Sequence, residues 1–368
     1  MPPARRLDPQ LFRLPVDEIR RGYYTDVYFN RARHVLQADG RNVRVRMQVF
    51  VRTDALLCGV DEALAILRVG TGRFEAGGRW TDGWPSLAVK ALHDGDAIAP
   101  WETVMTIEGD YASFAHLETL YLGVLTRRTR IATNGRAIVE AAGGKDVLFF
   151  SARYDDRCVQ EGDGYAAHVA GISAVSTDAN AAWFGERGIG TIPHALIAAY
   201  DGDTVLATRK FAEHVDPAVR VIALVDYDND CVETSIACAR ALGARLWGVR
   251  LDTSEALVDR SLIAQAGAFD LSGVNVELVR NVREGLDRAG FTHVKIVVSG
   301  GFSAEKIASF EEQSAPADAY AVGSAFFSGA GTYDFTADVV AVQRGTTWVE
   351  QHKVGRPERP NPRLVRVE

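Results

Sequence analysis

The sequence predicts an α/β fold in which an irregular parallel α/β barrel follows an N-terminal mixed α/β domain. After Gly144, short apolar segments without polar alternation are separated by amphipathic helical segments. Such apolar segments are typical of parallel strands covered on both faces, and seven of them favour a barrel over an open Rossmann sheet. No G-x-G-x-x-G follows an early strand. The expected strands are DVLFFSA (146–152), GISAVST (171–177), GIGTIP (188–193), VRVIALVDYD (219–228), ARLWGVRLDT (244–253), HVKIVVSGG (293–301) and AYAVGSAFF (319–327).

The length of 368 residues predicts more than one domain. We place the N-terminal α/β domain at residues 1–112 and the barrel domain at residues 113–331. Residues 332–368 are extended and polar, and we expect them to pack back on the N-terminal domain.

Three patterns define the expected elements before the barrel. Residues 42–52 (NVRVRMQVFVR) alternate apolar and polar, which predicts a half-buried antiparallel strand. Residues 61–70 (DEALAILRVG) predict a helix that ends at Gly70. Residues 114–144 predict a helix in two pieces, broken near Thr133, Asn134 and Gly135.

Composition and charge exclude several classes of protein. The net charge of −7 gives no electrostatic reason to expect nucleic acid as a partner. No apolar run approaches the length of a membrane span, and the N-terminus lacks the apolar region of a signal peptide. The four cysteines form no C-x-x-C pair, so neither a zinc site nor a disulfide framework is expected. A reducing, cytoplasmic compartment fits best.

Polar residues follow the expected barrel strands at the point where each strand ends. In α/β barrels that end carries the catalytic groups, because the carboxyl ends of the strands meet there. We therefore expect these side chains to converge on one rim. They are Arg153, Thr177, Asp178, His194, Asp226, Asp228, Arg250, Asp252, Ser303, Gly323 and Ser324.

Two of the strand ends predict a phosphate site. In SGGFSAEKI (299–307), a glycine pair leads into a helix for which Ser303 is the expected N-cap. Backbone N–H groups and the helix dipole favour an anion there. VGSAF (322–326) supplies a second small loop one unit later, and barrel enzymes often hold a phosphate between such loops. The alternative is that these glycines only make tight turns.

Other rim residues also allow a structural interpretation. Arg250 and Asp252 lie on the same side of a strand, where they form either a rim ion pair or a clamp on a base or ribose. The acids of VDYDND (225–230) are solvated loop residues, Mg²⁺ contacts through water, or partners that orient a histidine. His194 by itself is more typical of a packed core histidine than of a catalyst.

Taken together, these segments resemble the nicotinate phosphoribosyltransferase family, a type II phosphoribosyltransferase group related to nicotinamide phosphoribosyltransferase. The resemblance extends from about Tyr24 to Phe327. The order and spacing of the segments carry it, since each one alone is weak. The segments are TDVYF (25–29), EGDYASFAHLETLYLGVLTRRTRIAT (108–133), FFSAR (149–153), STDAN (176–180), GTIPHALI (190–197), LVDYD (224–228), VRLDTSE (249–255), VSGGFS (298–303) and AVGSAF (321–326).

The resemblance implies a reaction, cofactors and a partner. Nicotinate and 5-phosphoribosyl 1-pyrophosphate would give nicotinate mononucleotide and pyrophosphate, with Mg²⁺, in NAD biosynthesis or salvage. ATP is implied as an optional co-substrate. The family architecture is a barrel domain plus an N-terminal α/β domain, in a head-to-tail homodimer whose active sites lie at the subunit interface.

The resemblance also implies roles for single residues around the pyridine ring. Tyr28, from the neighbouring subunit, and Phe150 would sandwich the ring. Arg153 would meet the carboxylate or carboxamide edge of the ring and a phosphate. Asp178 falls where relatives read that substituent.

The remaining implied roles concern the sugar, the phosphates and ATP. Arg250 and Asp252 would hold the ribose and diphosphate region, and Gly300, Gly301, Gly323 and Ser324 would cradle the 5′-phosphate. His194 matches the histidine that is phosphorylated when ATP is hydrolysed, and Asp226 matches the acid that orients it. His194, Asp226 and Asp252 are thus the expected catalytic residues, and no residue is assigned as a metal ligand.

The sequence departs from the family pattern in ways that keep the acceptor open. Ser151 stands in place of a glycine, and Tyr154 in place of a second arginine, which removes one positive charge. Asp178 stands where nicotinate-specific relatives usually have serine and nicotinamide-using relatives have aspartate. An ionised aspartate would repel a carboxylate and accept from an amide. Nicotinamide or another aromatic acid or amide is therefore the alternative acceptor.

Two rival functions are also open from the sequence. A barrel lyase or isomerase acting on a sugar phosphate would need a lysine or acid base at a strand end, and Lys295 lies in mid-strand. A non-catalytic phosphoribosyl-binding relative would be expected to lack His194, Arg250 or Asp252, and all three residues are present.

Overall fold

The computed structural model describes residues 6–265, 267, 270–329 and 331–368. Within these residues the chain forms two compact units, one made of the residues before 134 and after 329, and one made of residues 134–329. The sequence-based boundary lay at residue 112. In the structure the division falls inside a long helix, because Tyr121 and Leu125 of that helix are buried in the core of the first unit.

Strands and helices are numbered here in chain order. The strands are β1 (Arg44–Phe50), β2 (Ala55–Leu56), β3 (Gly72–Phe74), β4 (Trp80–Asp82), β5 (Ala88–Ala91), β6 (Ala97–Ile98), β7 (Thr103–Asp110), β8 (Asp146–Phe149), β9 (Ala174–Val175), β10 (Val221–Leu224), β11 (Leu246–Leu251), β12 (Lys295–Val298), β13 (Ala319–Val322), β14 (Thr336–Arg344), β15 (Thr347–Glu350) and β16 (Val365–Arg366). The α-helices are α1 (Val16–Arg21), α2 (Val27–Ala38), α3 (Val60–Gly70), α4 (Tyr111–Phe114), α5 (Glu118–Ala141), α6 (Gln160–Val169), α7 (Asp178–Ala181), α8 (His194–Ala199), α9 (Thr204–His214), α10 (Cys231–Leu242), α11 (Val276–Arg288) and α12 (Ala304–Glu312).

The first unit is built on an antiparallel sheet with strand order β15-β14-β1-β7-β5-β16. Strand β1 pairs with β7 on one side and with β14 on the other, so residues from both ends of the chain share one sheet. Helix α3 ends at Gly70 as the sequence predicts, and its apolar side joins the core together with Met47, Val49 and Ile107.

Strand β1 is more buried than its alternating pattern predicts. Val45, Met47 and Val49 are buried as expected, but Gln48 and Phe50 on the opposite face are buried too. The reason lies in the C-terminal residues. Gln48 Nε2 donates to the carbonyl of Pro357 at 3.1 Å, and its Oε1 accepts from another backbone N–H of that segment. An extended polar segment therefore covers a face that the strand pattern leaves for solvent.

Helix α5 is continuous, and the break predicted near residues 133–135 is wrong. A Cβ built on Gly135 would lie 2.8 Å from the Cβ of Ala170 and 3.2 Å from the ring of Phe326. Asn134 Nδ2 donates to the carbonyls of Phe326 and Ser328, at 2.9 and 2.7 Å. Glycine and asparagine here permit close packing within the second unit, and this packing outweighs their poor helix propensity.

The second unit confirms the predicted α/β class. Its sheet is parallel and curled, with strand order β10-β11-β12-β13-β8-β9, and each strand is followed by helical segments. Six of the seven expected strands are present. Residues 188–193 form no strand, and a single backbone bond from Ile189 N–H to the Val175 carbonyl, at 2.8 Å, ties this segment to β9. Ser303 caps α12 as predicted, accepting from the N–H of Lys306.

No helix in the described part of the chain combines the length and apolar character needed to cross a bilayer.

Asp94 makes the stability of the first unit depend on pH. Its Oδ1 accepts from Val60 N–H at 2.8 Å, while Oδ2 is shielded from solvent and has no hydrogen-bond partner among the described residues. Removal from water, followed by repulsion from Asp61, raises the pKa of Asp94 to about 7. The folded protein therefore keeps a proton that the unfolded chain releases near pH 4, so stability falls as pH rises through that window.

We predict that Asp94→Asn flattens this part of the pH profile and raises the free energy of unfolding at pH 8 by about 2 kcal/mol. The measurement is chemical denaturation between pH 4 and pH 8. Asp39→Asn, at an exposed position that ends α2, is the matched control. An Asp94→Asn profile parallel to that of the unsubstituted protein would contradict the prediction.

Candidate functional site

A cavity of about 620 Å³ opens at the carboxyl ends of the parallel strands in the second unit. Part of the sequence-predicted rim converges there, since the strand ends meet at one edge of the sheet, whereas Thr177, Asp178, Asp226, Asp228 and Ser303 are not in its lining. The predicted residues among those that line it are Phe150, Arg153, His194, Arg250, Asp252, Gly300, Gly301, Gly323 and Ser324.

His194 and Asp226 form a hydrogen-bonded pair at this rim. His194 is the first residue of α8, after Pro193, and Asp226 follows β10. His194 Nε2 lies 3.1 Å from Asp226 Oδ1 and 3.2 Å from Oδ2. Burial raises the pKa of Asp226, the Asp252 carboxylate raises it further, and His194 opposes the shift. The contact leaves Nδ1 as the imidazole nitrogen that faces away from the acid.

Arg250 is a largely buried cation, with 13% of its side chain exposed, and its hydrogen bonds are incomplete. Its Nη2 lies 3.6 Å from Asp252 Oδ2, and its guanidinium carbon lies 5.9 Å from the centre of the Phe150 ring. Burial lowers the pKa of Arg250, partly offset by Asp252 and Asp226. Its Nε has no partner among the described residues. A buried N–H donor without an acceptor costs free energy, so this site favours an anionic ligand over a simple rim ion pair.

Asp252 is held in place by the neighbouring strand. Ser299, which follows β12, donates from Oγ to Asp252 Oδ1 at 2.7 Å and to the carbonyl of Leu251 at 3.0 Å. This orientation leaves Oδ2 directed to Arg250. The carboxylate is therefore fixed rather than free to rotate, as a group that meets a substrate needs to be.

The glycine pair after β12 adopts a conformation that other residues rarely reach. Gly300 and Gly301 have φ values of +88° and +69°. Lys306 Nζ donates to the Gly300 carbonyl at 3.2 Å and lies 4.5 Å from the centre of the Phe302 ring. Successive left-handed residues before a capped helix direct backbone N–H groups outward, which suits an anion.

Two predicted ring-binding residues, Asp178 and Tyr28, are not among the residues that line this cavity. Asp178, at the start of α7, does not line the cavity, and its Oδ1 accepts from the Gly188 N–H at 2.9 Å. Ser176 lines the cavity instead. Tyr28 belongs to the first unit, on α2, with 60% of its surface exposed. Their roles toward a substrate stay predictions.

Sequence reasoning did not select Ser299 or Lys306, and it treated Ser151 and Tyr154 only as departures from a pattern. Ser299 directly precedes the glycine pair, and this position next to a strand end was the available signal. Lys306 lies one helical turn after the N-cap. Its contact with Gly300 depends on how α12 starts, which the sequence pattern does not give.

The residue types fit a Mg²⁺ ion only if the substrate supplies most of its ligands. Within 6–265, 267, 270–329 and 331–368, no group of three or more His, Cys, Asp or Glu side chains could hold a metal. Mg²⁺ is commonly held by one or two carboxylates together with substrate phosphates. Asp226 and Asp252 are the carboxylates at the rim that could serve in this way.

Sequence comparisons connect the chain to phosphoribosyltransferases. Residues 26–129 match the family described as "Quinolinate phosphoribosyl transferase, N-terminal domain". Nicotinate phosphoribosyltransferase pncB1 of Mycobacterium tuberculosis is 32% identical over 247 residues, which are 65% of this chain and 49% of that protein. Nicotinate phosphoribosyltransferase of Bacillus subtilis is 26% identical over 279 residues, 73% of this chain and 52% of that protein. The chain thus spans about half the length of these curated relatives.

Solved structures extend the similarity over the whole fold. The crystal structure of nicotinate-nucleotide pyrophosphorylase from Pyrococcus furiosus matches with a TM-score of 0.78 and 32% identity, covering 97% of this chain and 86% of that one. Human nicotinic acid phosphoribosyltransferase matches with a TM-score of 0.65 and 17% identity, covering 90% and 77%. At this lower identity the human protein supports the fold alone.

We predict that Arg250→Ala weakens the binding of inorganic pyrophosphate by about 10- to 100-fold, because a charge-assisted hydrogen bond is lost. Isothermal titration in the presence of Mg²⁺ measures the effect, with thermal melting to establish that the variant is folded. Arg240→Ala, at an exposed position on α10, is the control and should bind as the unsubstituted protein does. Equal affinity of the two variants would exclude Arg250 as an anion-binding residue.

Proposed function

Because the chain belongs to the nicotinate phosphoribosyltransferase family, we propose that it joins nicotinate to 5-phosphoribosyl 1-pyrophosphate. The products are nicotinate mononucleotide and pyrophosphate, as a step of NAD salvage. One observation carries the proposal. A single cavity at the carboxyl ends of parallel strands combines an aromatic face, two arginines, two glycine loops and His194, whose Nε2 contacts Asp226.

The aromatic and cationic residues of the cavity suit a planar anion. Phe150 offers a ring face, and Arg153 and Arg250 supply positive charge beside it. A ring carboxylate pairs well with a guanidinium fork, while the pyridine ring stacks on an aromatic face. The carboxylate of Asp178 accepts from the Gly188 N–H and is not in the cavity lining, which supports nicotinate over nicotinamide as the acceptor.

Ribosyl transfer needs stabilisation of charge on both sides of the breaking bond. The pyridine nitrogen bonds to C1 of the ribose as the bond from C1 to the diphosphate oxygen breaks. Asp252, oriented by Ser299, would stabilise positive charge on the sugar, and Arg250 would stabilise the leaving diphosphate. Bound Mg²⁺, with Asp226 and Asp252 as the carboxylates in reach, would neutralise diphosphate charge. The glycine loops would hold the 5′-phosphate.

His194 is suited to accept a phosphoryl group from ATP. With its Nε2–H donating to Asp226, the Nδ1 lone pair is available as the nucleophile. Attack on the terminal phosphorus of ATP would form the N–P bond and release ADP. Asp226 would stabilise the positive charge that develops on the ring. The partly exposed side chain of His194, at 46%, is open to such a substrate.

An exposed helix face supports the homodimer. Tyr24, Val27, Tyr28 and Val35 are exposed and lie at helical spacing along α2 and just before it. Exposed apolar faces of this kind are typical of interaction sites. A second copy covering this face would carry Tyr28 into an interface, as the family arrangement requires.

The free cysteines Cys58, Cys158, Cys231 and Cys238 are consistent with a reducing, cytoplasmic compartment.

A product assay tests the proposed reaction. The protein is incubated with 5-phosphoribosyl 1-pyrophosphate, Mg²⁺ and nicotinate, nicotinamide or quinolinate in turn. We expect nicotinate mononucleotide from nicotinate, at a rate at least 10-fold above that for the other two acceptors. Product from nicotinamide alone would replace the acceptor, and no product from any of them would favour a non-catalytic phosphoribosyl-binding protein.

A histidine variant tests the role of ATP. We expect His194→Ala to abolish ATP hydrolysis while leaving slow ribosyl transfer, because only the phosphoryl acceptor is lost. Phosphate release and mononucleotide formation are measured side by side, with His214→Ala at an exposed end of α9 as the control. If ATP does not affect the unsubstituted enzyme, His194 has a positioning role instead.

A further inference from the structure

Two residues that depart from the family pattern act on the same glycine. Ser151 and Tyr154 lie in the turn that follows β8, and Gly323 follows β13, the strand beside it in the sheet. Ser151 is buried, with 2% of its surface exposed. Its Oγ donates to the carbonyl of Gly323 at 2.8 Å, with a longer contact of 3.5 Å to the carbonyl of Val322.

The ring of Tyr154 lies directly on Gly323. A Cβ built on that glycine would meet the ring at 2.8 Å from Cε2, 2.9 Å from Oη and 3.1 Å from Cζ. Gly323 has φ −114° and ψ −100°, a combination that side-chain-bearing residues rarely adopt, so both its backbone conformation and the close approach of Tyr154 favour glycine here. The N–H of Tyr154 donates to the Ser151 carbonyl at 3.0 Å, which joins the two contacting residues to each other.

The ring of Phe327 and the guanidinium of Arg153 are neighbours of the Tyr154 ring. Its centroid is 6.4 Å from that of the Phe327 ring, and the guanidinium carbon of Arg153 lies 6.0 Å from its centre. Tyr154 is nevertheless 47% exposed and lines the cavity, so it stands between the cavity and the loop. A side chain placed in this way can fix the loop without being a core residue.

We propose that Ser151 and Tyr154 are positioning residues that clamp the Gly323–Ser324 loop in the conformation that receives the 5′-phosphate. This inference rests on the proposed function. Ser151 restrains the loop through its carbonyl, and Tyr154 restrains it by packing on the α-carbon. An arginine at position 154 would contribute charge to phosphate binding, whereas Tyr154 contributes shape.

Steady-state kinetics separate this role from a general structural one. Tyr154→Ala and Ser151→Ala should each raise the KM for 5-phosphoribosyl 1-pyrophosphate at least fivefold. The KM for nicotinate and kcat should change less than twofold. Tyr154→Phe keeps the ring and should stay within twofold of the unsubstituted enzyme in all three. A Tyr154→Phe enzyme as impaired as Tyr154→Ala would overturn the clamp, since ring packing would then not matter.

A double-substitution cycle tests the contact between Tyr154 and Gly323 itself. Gly323→Ala places a methyl group against the ring and should raise the same KM at least 20-fold. In the Tyr154→Ala background that ring is absent, so Gly323→Ala should add less than fivefold. Strain in the backbone of residue 323 is common to both backgrounds and cancels. Equal effects in the two backgrounds would overturn the proposal.

Ligand binding distinguishes a failed clamp from a failed function. If the unsubstituted protein makes no nicotinate mononucleotide, the proposed function fails by itself. Calorimetric titration with ribose 5-phosphate then tests the loop without turnover. Binding at least fivefold weaker in Tyr154→Ala than in Tyr154→Phe supports the clamp. Equal binding by the two variants, or no binding by the unsubstituted protein, overturns it. Thermal melts of all variants establish that they are folded.

Discussion

The parallel register of the sheet in the second unit fixes the relative positions of the cavity residues that stand on its strands or directly after them. Arg250 on β11 pairs with Val297 on β12, and Val322 on β13 pairs with Phe149 on β8. Residues that follow these strands therefore meet at one edge, although they come from distant parts of the sequence. A slip of one residue in any pair would turn its side chains to the other face. The relative positions of these side chains therefore depend on the hydrogen-bond register of the sheet.

The charged side chains in and beside this cavity determine which ligands it can bind. Burial lowers the pKa of Arg250 and raises that of Asp226, so both ionised groups lose favourable contact with water. The Asp252 carboxylate lowers the free-energy cost of keeping Arg250 charged and increases the cost of keeping Asp226 charged. An anionic substrate would complete the hydrogen bonds of Arg250, while a positive charge on the sugar would be stabilised by the acids. The same imbalance that costs stability therefore favours an anionic ligand next to Arg250.

The sequence predicted the fold class and the polar rim, because both depend on local patterns. Uninterrupted apolar segments identify covered parallel strands, and the residue after each strand is read directly from the chain. Predictions from local patterns were wrong where contacts with distant residues determine the secondary structure. Helix α5 continues through Gly135 because Ala170 and Phe326 pack against it. Residues 188–193 have a strand-like composition but gain only one backbone bond to β9.

By itself, then, the sequence identified the polar groups that follow the strands, with Arg250 and Asp252 among them, and it identified His194, although no strand forms directly before that residue. Only the tertiary structure decided how these groups are partnered. It set the geometry of the His194–Asp226 pair that the family resemblance implies, directed Asp178 to the Gly188 N–H, and set Ser151 and Tyr154 on Gly323. The physical reason is that hydrogen bonds and ring contacts depend on distances between atoms. Those distances are set by how strands and helices that are far apart in the chain pack together. A local pattern of residues does not predict that packing.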